Sequence, residues 1–174
     1  MSVNNTEYVN DTCGLDLKDY LDLRILDDTR TVVLNSDVDE YLSGKLTRVF
    51  SYLARTPEPI MMLISSHGGE VDAGGAIIRA IEDVRERGCS VIGEVRGYAM
   101  SMGFFILQHC DQRLASPEDI IMVHGVTTVT IGDIRNQAAD LALTNRMMEQ
   151  QAEFVATRNT SEDEKFHSKD YWLE

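Results

Sequence analysis

Ile60-Met61-Met62-Leu63-Ile64-Ser65-Ser66-His67-Gly68-Gly69 opens with five consecutive apolar residues after Pro59 and ends in a polar loop that closes on two glycines. A run of that length, bounded by a proline and a glycine turn, predicts a short strand buried on both faces. The period then changes. Ala73, Ala76, Ile77, Ala80, Ile81 and Val84 recur at the spacing of one helix face, and Gly88 offers a left-handed stop. A strand, a glycine loop and a helix in that order form the repeating unit of a parallel sheet.

The same alternation extends both ways. Upstream, Thr31 to Leu34 predicts a strand, and Asp37 with Glu40 three positions on predicts the start of a helix. Apolar positions 38, 41, 42, 46, 49, 50 and 53 carry that helix to about Arg55. Downstream, residues 91–95 read as a third strand, 102–109 as a buried helix, and 113–115 and 120–124 as short strands. Ser116-Pro117-Glu118-Asp119 between the last two predicts a single helical turn, with a cap residue before proline at the first helical position. The fold class is α/β, a mainly parallel sheet expected to be covered on both faces. Ligands in such folds sit beyond the carboxyl ends of the strands, here at loops 65–70, 96–101 and 125–130.

The last long element differs. Over residues 132–158, Ile134, Ala138, Leu141, Asn145, Met148, Ala152 and Val155 alternate at spacings of four and three. A helix of ~26 residues is about 40 Å long, against a diameter of about 32 Å for a compact domain of this size. Part of it is therefore expected to project and to offer its apolar stripe to a partner, most simply another copy of the chain. One globular domain is expected overall, divided into an N-terminal arm at 1–15, a head at 16–131, a long helix at 132–160 and a tail at 161–174.

The 174 residues carry 16 Lys and Arg against 29 Asp and Glu, a formal charge of −13. That balance argues against nucleic acid and anionic membrane as partners, since both reward basic surfaces. The longest apolar stretch, residues 98–107, is half the ~20 needed to span a bilayer, and the polar first ten residues carry no signal-peptide pattern. Cys13, Cys89 and Cys110 make no paired framework, so reduced thiols in a cytoplasmic setting are expected. No metal-ligand spacing occurs and no cofactor is expected.

Gly97-Tyr98-Ala99-Met100-Ser101-Met102-Gly103 places a serine at a strand-to-helix turn between small neighbours, in the manner of a nucleophile elbow with Ala-x-Ser-x-Gly in place of Gly-x-Ser-x-Gly. A helix N-terminus behind such a serine offers amides to an oxyanion. A serine hydroxyl needs a base, and histidine is the usual one. Of the four histidines, His124 closes a strand at the same sheet edge and is the preferred base. His67 also lies on that edge, His109 sits two turns into a helix, and His167 lies in a polar tail. The Gly68-Gly69 loop lacks the Lys-Ser/Thr of a phosphate loop. Its glycines suit either a tight turn or close backbone approach, with the Gly69 amide reaching an oxyanion.

These pieces, Leu63-Ile64-Ser65-Ser66-His67-Gly68-Gly69, Ala73-Gly74-Gly75-Ala76-Ile77, Gly97 to Gly103 and Ile121-Met122-Val123-His124-Gly125, resemble the ClpP family, the proteolytic subunits of the Clp protease. The similarity of pattern runs from about residue 23 to 173. It implies a ClpP/crotonase-like superhelix of repeated β-β-α units with a protruding handle helix. It also implies a serine endopeptidase in which Ser101 attacks, His124 relays the proton, and the amides of Gly69 and Met102, beside Gly68, hold the oxyanion. Lys169-Asp170-Tyr171-Trp172-Leu173 resembles the segment that carries the family's third catalytic residue, which points to Asp170. Asp163 lies in the same acidic tail.

The implied substrate is polypeptide fed by a separate AAA+ Clp ATPase, and the implied assembly is a homo-oligomer of seven-membered rings stacked in pairs. Three departures stand out. His67 takes the place of a usual proline, Gly125-Val126 that of Gln-Pro, and four residues follow Asp170. A catalytically silent ring subunit is the alternative function, and a crotonase-like acyl-CoA enzyme is a third.

Overall fold

A computed structural model describes residues 30–125, 133–158 and 162–173. The expected N-terminal arm and most of the 125–130 loop lie outside the described residues. The chain forms two compact units, one ending at Met122 and the other beginning at Val123.

In the first unit β1 (Thr31–Leu34) is followed by α1 (Glu40–Leu53), β2 (Ile60–Ser66), α2 (Val71–Glu86), β3 (Val91–Met100), α3 (Met102–His109), β4 (Gln112–Leu114) and β5 (Ile120–Met122). The sheet order is β1-β2-β3-β4, with β5 also on β3, and every pairing is parallel. The α/β class and parallel sheet expected from sequence are what the chain builds.

Among the described residues of this unit, the core gathers on one face of the sheet. Val32, Leu34, Ile60, Met62, Ile64, Val91 and Val95 share one strand parity and join Leu46, Phe50, Ile77, Ile81, Ile106 and Leu107 in a single core. Met61, Leu63 and Ile92, on the other parity, are only half-buried. The helices described in this unit pack their apolar stripes on the core face. Fully burying a side chain such as Phe50 contributes about 3 kcal/mol, so that face holds the unit together.

Two local starts differ from expectation. Asp39, not Asp37, caps α1, its carboxylate accepting the Leu42 N–H at 2.7 Å. The reason is non-local: Val38 is held extended by a parallel bridge to Gly69, so the helix cannot begin until that bridge ends. Ser116 to Asp119 forms a hydrogen-bonded turn rather than a helical one, with the Asp119 N–H donating to the Ser116 carbonyl at 3.0 Å. Gly88, with φ +89°, follows the Arg87 cap of α2 as the sequence predicts.

β3 changes partners along its length. Residues 92–94 pair with β4 and residues 98–100 with β5. Between them the register against β2 shifts, Ile64 facing Val95 but Ser66 facing Ala99, so β3 carries two extra residues. Gly97 takes φ +101° in that bulge, a region costly for side-chain-bearing residues. Its N–H donates to Asp119 Oδ1 at 2.7 Å while Asp119 Oδ2 accepts from Ser116 N at 2.6 Å. One carboxylate therefore fixes both the bulge and the entry to β5.

In the second unit α4 (Ile134–Arg158) is followed by a 3₁₀ turn (Glu164–His167) and α5 (Lys169–Leu173). Ala152, Val155 and Ala156 are buried at the carboxyl end of α4, whereas Leu141 and Leu143 are 55% and 59% exposed. The stripe is thus covered at one end and open at the other. In the first unit Ile120, Ile121 and Met122 are apolar yet exposed on the sheet edge. No helix among the described residues is long and apolar enough to cross a membrane. Cys89 and Cys110 are buried thiols.

Candidate active site

Ser101 stands between β3 and α3 with φ +50° and ψ −121°. A non-glycine residue there costs about 1–3 kcal/mol and persists only where its surroundings enforce it. Several contacts do. Its N–H donates to the Met122 carbonyl at 2.8 Å, and its own carbonyl accepts from Phe104 and Phe105 at the head of α3. Ala99 is fully buried before it. Gly103 lies so close to β2 that a Cβ there would stand 3.2 Å from the Ser66 carbonyl oxygen. The small flanking residues read from the sequence are therefore required by packing.

The glycine loop lies against this turn. Gly68 is buried with φ +101°, and a Cβ on it would stand 2.7 Å from Ser101 Cβ, 2.8 Å from Met102 N and 2.9 Å from the Met100 carbonyl oxygen. Any side chain at 68 would displace the serine. At Gly69 a Cβ would collide with the Val38 carbonyl, and at Gly74 with the Met102 thioether. Met102 is the first residue of α3, so its N–H belongs to the turn that has no intrahelical acceptor.

Residues that sequence reasoning passed over hold the loop. Buried Ser66 donates its hydroxyl to the Ser36 carbonyl at 2.6 Å and accepts the Gly68 N–H at 3.1 Å. Val38 donates its N–H to the Gly68 carbonyl and accepts from Glu70 N, both at 2.8 Å. A signal for Ser66 was present: it shares the buried parity of Ile60, Met62 and Ile64, and a buried hydroxyl needs partners. The role of Val38 had no such local signal.

His124 follows β5 by two residues and falls in the second unit. It is exposed, with Nδ1 2.6 Å from the Gly125 carbonyl oxygen. With Nδ1 as donor, Nε2 is the ring nitrogen left to accept a proton. Asp170 lies in the first turn of α5, exposed, its N–H donating to Ser168 Oγ at 3.2 Å. Among the described residues no hydrogen bond or ion pair engages its carboxylate.

Asp163 is engaged. It caps the 3₁₀ turn through the Lys165 N–H and meets Lys165 Nζ at 3.0 Å. The hydrogen bonds from Lys165 hold its carboxyl below the ordinary value of 3.8, and the same pair raises the Lys165 ammonium.

The remaining histidines sit elsewhere. His109 is buried, its Nδ1 2.9 Å from the Phe105 carbonyl one helical turn back. His167 ends the 3₁₀ turn. His67 is exposed in the glycine loop, its ring stacked on Tyr98. Among the described residues no cluster of three His, Cys, Asp or Glu could hold a metal.

Comparison with known proteins converges on one family. The family model described as Clp protease matches residues 17–174. The chain is 34% identical over 137 residues to the ATP-dependent Clp protease proteolytic subunit 1 of Protochlamydia amoebophila (strain UWE25), covering 76% of this chain and 61% of that protein. It is 29% identical over 152 residues to proteolytic subunit 3 of Synechococcus sp. (strain CC9605), covering 83% and 74% respectively. It is 34% identical over 130 residues to proteolytic subunit 1 of Chlamydia muridarum (strain MoPn / Nigg), covering 72% and 64%. The match thus spans about three fifths of the first of these relatives and about two thirds to three quarters of the others. With the Clp protease model matched along nearly its whole length, this chain belongs to the Clp protease family.

Proposed function

We propose that this chain is a serine endopeptidase subunit of a Clp-type protease, with Ser101 as nucleophile. The observation that carries the reading is the enforced positive φ of Ser101 at the head of α3, with Gly68 packed against it. In the proposed reaction Ser101 Oγ attacks the peptide carbonyl while His124 Nε2 takes its proton, then returns it to the leaving amine. The developing oxyanion is received by the amides of Gly69 and Met102, which cost no reorganisation because the fold fixes both. Asp170 is the acid assigned to orient His124 and to stabilise its imidazolium form. The support for His124 is its place in the chain, two residues beyond Met122, whose carbonyl accepts from Ser101 N.

The relatives are named ATP-dependent, yet this sequence has no phosphate-loop motif. We therefore assign the ATP hydrolysis to a partner AAA+ unfoldase that delivers unfolded polypeptide. The exposed Leu141 and Leu143 on α4, and Ile120, Ile121 and Met122 on the sheet edge, support self-association; stacked seven-membered rings, a tetradecamer, are the assembly that membership of the family implies. Buried thiols at Cys89 and Cys110 accord with a reducing, cytoplasmic setting.

A second reading is a catalytically silent ring subunit. It is favoured by one contact, since His124 Nδ1 faces the Gly125 carbonyl and not a carboxylate. Hydrolysis of a short fluorogenic peptide, measured beside the solution mass of the assembly, decides. The peptidase reading expects turnover that Ser101→Ala abolishes. An assembled particle without turnover establishes the silent subunit.

A further inference from the structure

We propose that His67 is a positioning residue for peptide cleavage: its imidazole, stacked on Tyr98, latches the glycine loop to the strand that carries Ser101. The proposal deepens the reading above, resting on Ser101 as nucleophile and on the loop as an oxyanion donor.

At its start the loop is tied to β3, where Ser66 pairs with Ala99, and beyond that pairing its hydrogen bonds run to the segment after β1. Ser66 Oγ bonds the Ser36 carbonyl, and Val38 bonds Gly68 and Glu70. All three of these hydrogen bonds lead away from the serine. Toward the serine, Gly68 offers van der Waals contact alone, because it has no side chain to grip with. His67 lies between Ser66 and Gly68, and its ring meets Tyr98 with centroids 4.2 Å apart and planes at 32°. Tyr98 sits on β3 three residues before Ser101, just past the Gly97 bulge, paired with Ile120 of β5. The ring pair therefore joins the loop to the strand of the elbow.

Neither ring belongs to the hydrophobic core, and His67 is exposed, so the contact is not explained by core filling. A tilted ring pair at this separation gains dispersion attraction across the facing atoms. An oxyanion donor works only when held within about 0.5 Å of its productive position. A latch between the donor's loop and the nucleophile's strand supplies that constraint.

The test uses the full chain. Against a short fluorogenic peptide, His67→Ala is expected to lower kcat about tenfold with KM changed less than about twofold, the signature of an interaction made in the transition state. His67→Phe keeps a ring but no proton acceptor, and it is expected to restore kcat to within about threefold. Failure of that rescue overturns the latch in favour of proton transfer by His67. The double variant His67→Ala/Tyr98→Ala should be no slower than Tyr98→Ala alone.

A second readout needs no turnover. Amide hydrogen exchange across 67–70 should rise about tenfold in His67→Ala and return in His67→Phe. Unchanged exchange refutes the latch in active or inactive protein alike. Faster exchange with unchanged kcat refutes its link to catalysis. Hydrolysis that persists in Ser101→Ala refutes the nucleophile instead, while the exchange result still decides the latch.

Discussion

The glycine loop with the Ser101 turn, and the segment carrying His124 and Asp170, are held in different ways. The first is over-determined. Ser101 is fixed through both its N–H and its carbonyl, Gly68 through Ser66 and Val38, and the β3 bulge through Asp119. In the second, the two candidate side chains themselves are the less engaged among the described residues. The His124 ring bonds the carbonyl of its own neighbour, and Asp170 stands exposed on a five-residue helix. Electrostatic stabilisation of an oxyanion requires donors in place before reaction, and the first region meets that need within one chain. A proton relay requires only that base and nucleophile meet when substrate is bound. The contrast teaches that the proposed oxyanion half is built by the fold of the first unit, whereas the proposed relay half rests on exposed side chains of the second.

The sharpest way to break that contrast is His124→Ala. It should leave the fold of the first unit intact, by circular dichroism, and lower peptide hydrolysis about 10³-fold. Normal turnover would remove His124 as the base. Gly68→Ala attacks the other side. Its Cβ would come within 3.0 Å of Ser101, Met102 and Met100 at a φ of +101°, so kcat should fall about 10²-fold and stability by about 2 kcal/mol, read by urea unfolding. Asp170→Asn should cost about tenfold or more in kcat at neutral pH if its carboxylate orients the imidazole. A variant at parental rate would leave the Gly125 carbonyl as the orienting group.

Gly75→Ala provides the quiet control. That exposed helix position has nothing within 4 Å of a built Cβ, so the variant should gain about 0.5–1 kcal/mol with activity unchanged. The smallest effect belongs to Asp163→Asn. The folded carboxyl of Asp163 lies below its ordinary value, so its stabilising contribution is complete at neutral pH and is lost as pH falls through the lowered value. Thermal melts of parent and variant should differ slightly at pH 7 and converge in strong acid.

The sequence was most legible where information is local. Residues 31–34, 60–64 and 102–109 announced themselves as apolar runs and the helix through 73–84 by its period, and Gly88 marked that helix's end. Legibility failed where a distant partner decides. Asp37 lost the cap of α1 to Asp39 because Val38 pairs with Gly69, thirty-one residues away. β3 runs to Met100 rather than Val95 because β5 takes over from β4 along its edge. The expectation of a helical turn at 116–119 gave way to a turn whose Asp119 carboxylate serves Gly97 instead.

Around the candidate nucleophile, the motif announced a strand-to-helix serine among small residues. It could not announce that Ser66 and Tyr98 would brace the neighbouring loop, since those contacts exist only once the loop is folded against β3. Of the proposed relay, His124 was legible from its place at the end of an apolar strand segment, whereas Asp170 was legible by resemblance alone, because its spacing implies no contact with Ser101.

The most direct measurement is labelling of the assembled protein with a fluorophosphonate, followed by intact-mass and peptide mapping. The account predicts one adduct per chain on Ser101, absent in Ser101→Ala and strongly slowed in His124→Ala. An assembled particle that stays unlabelled, or one that labels elsewhere at the parental rate after Ser101→Ala, would contradict it.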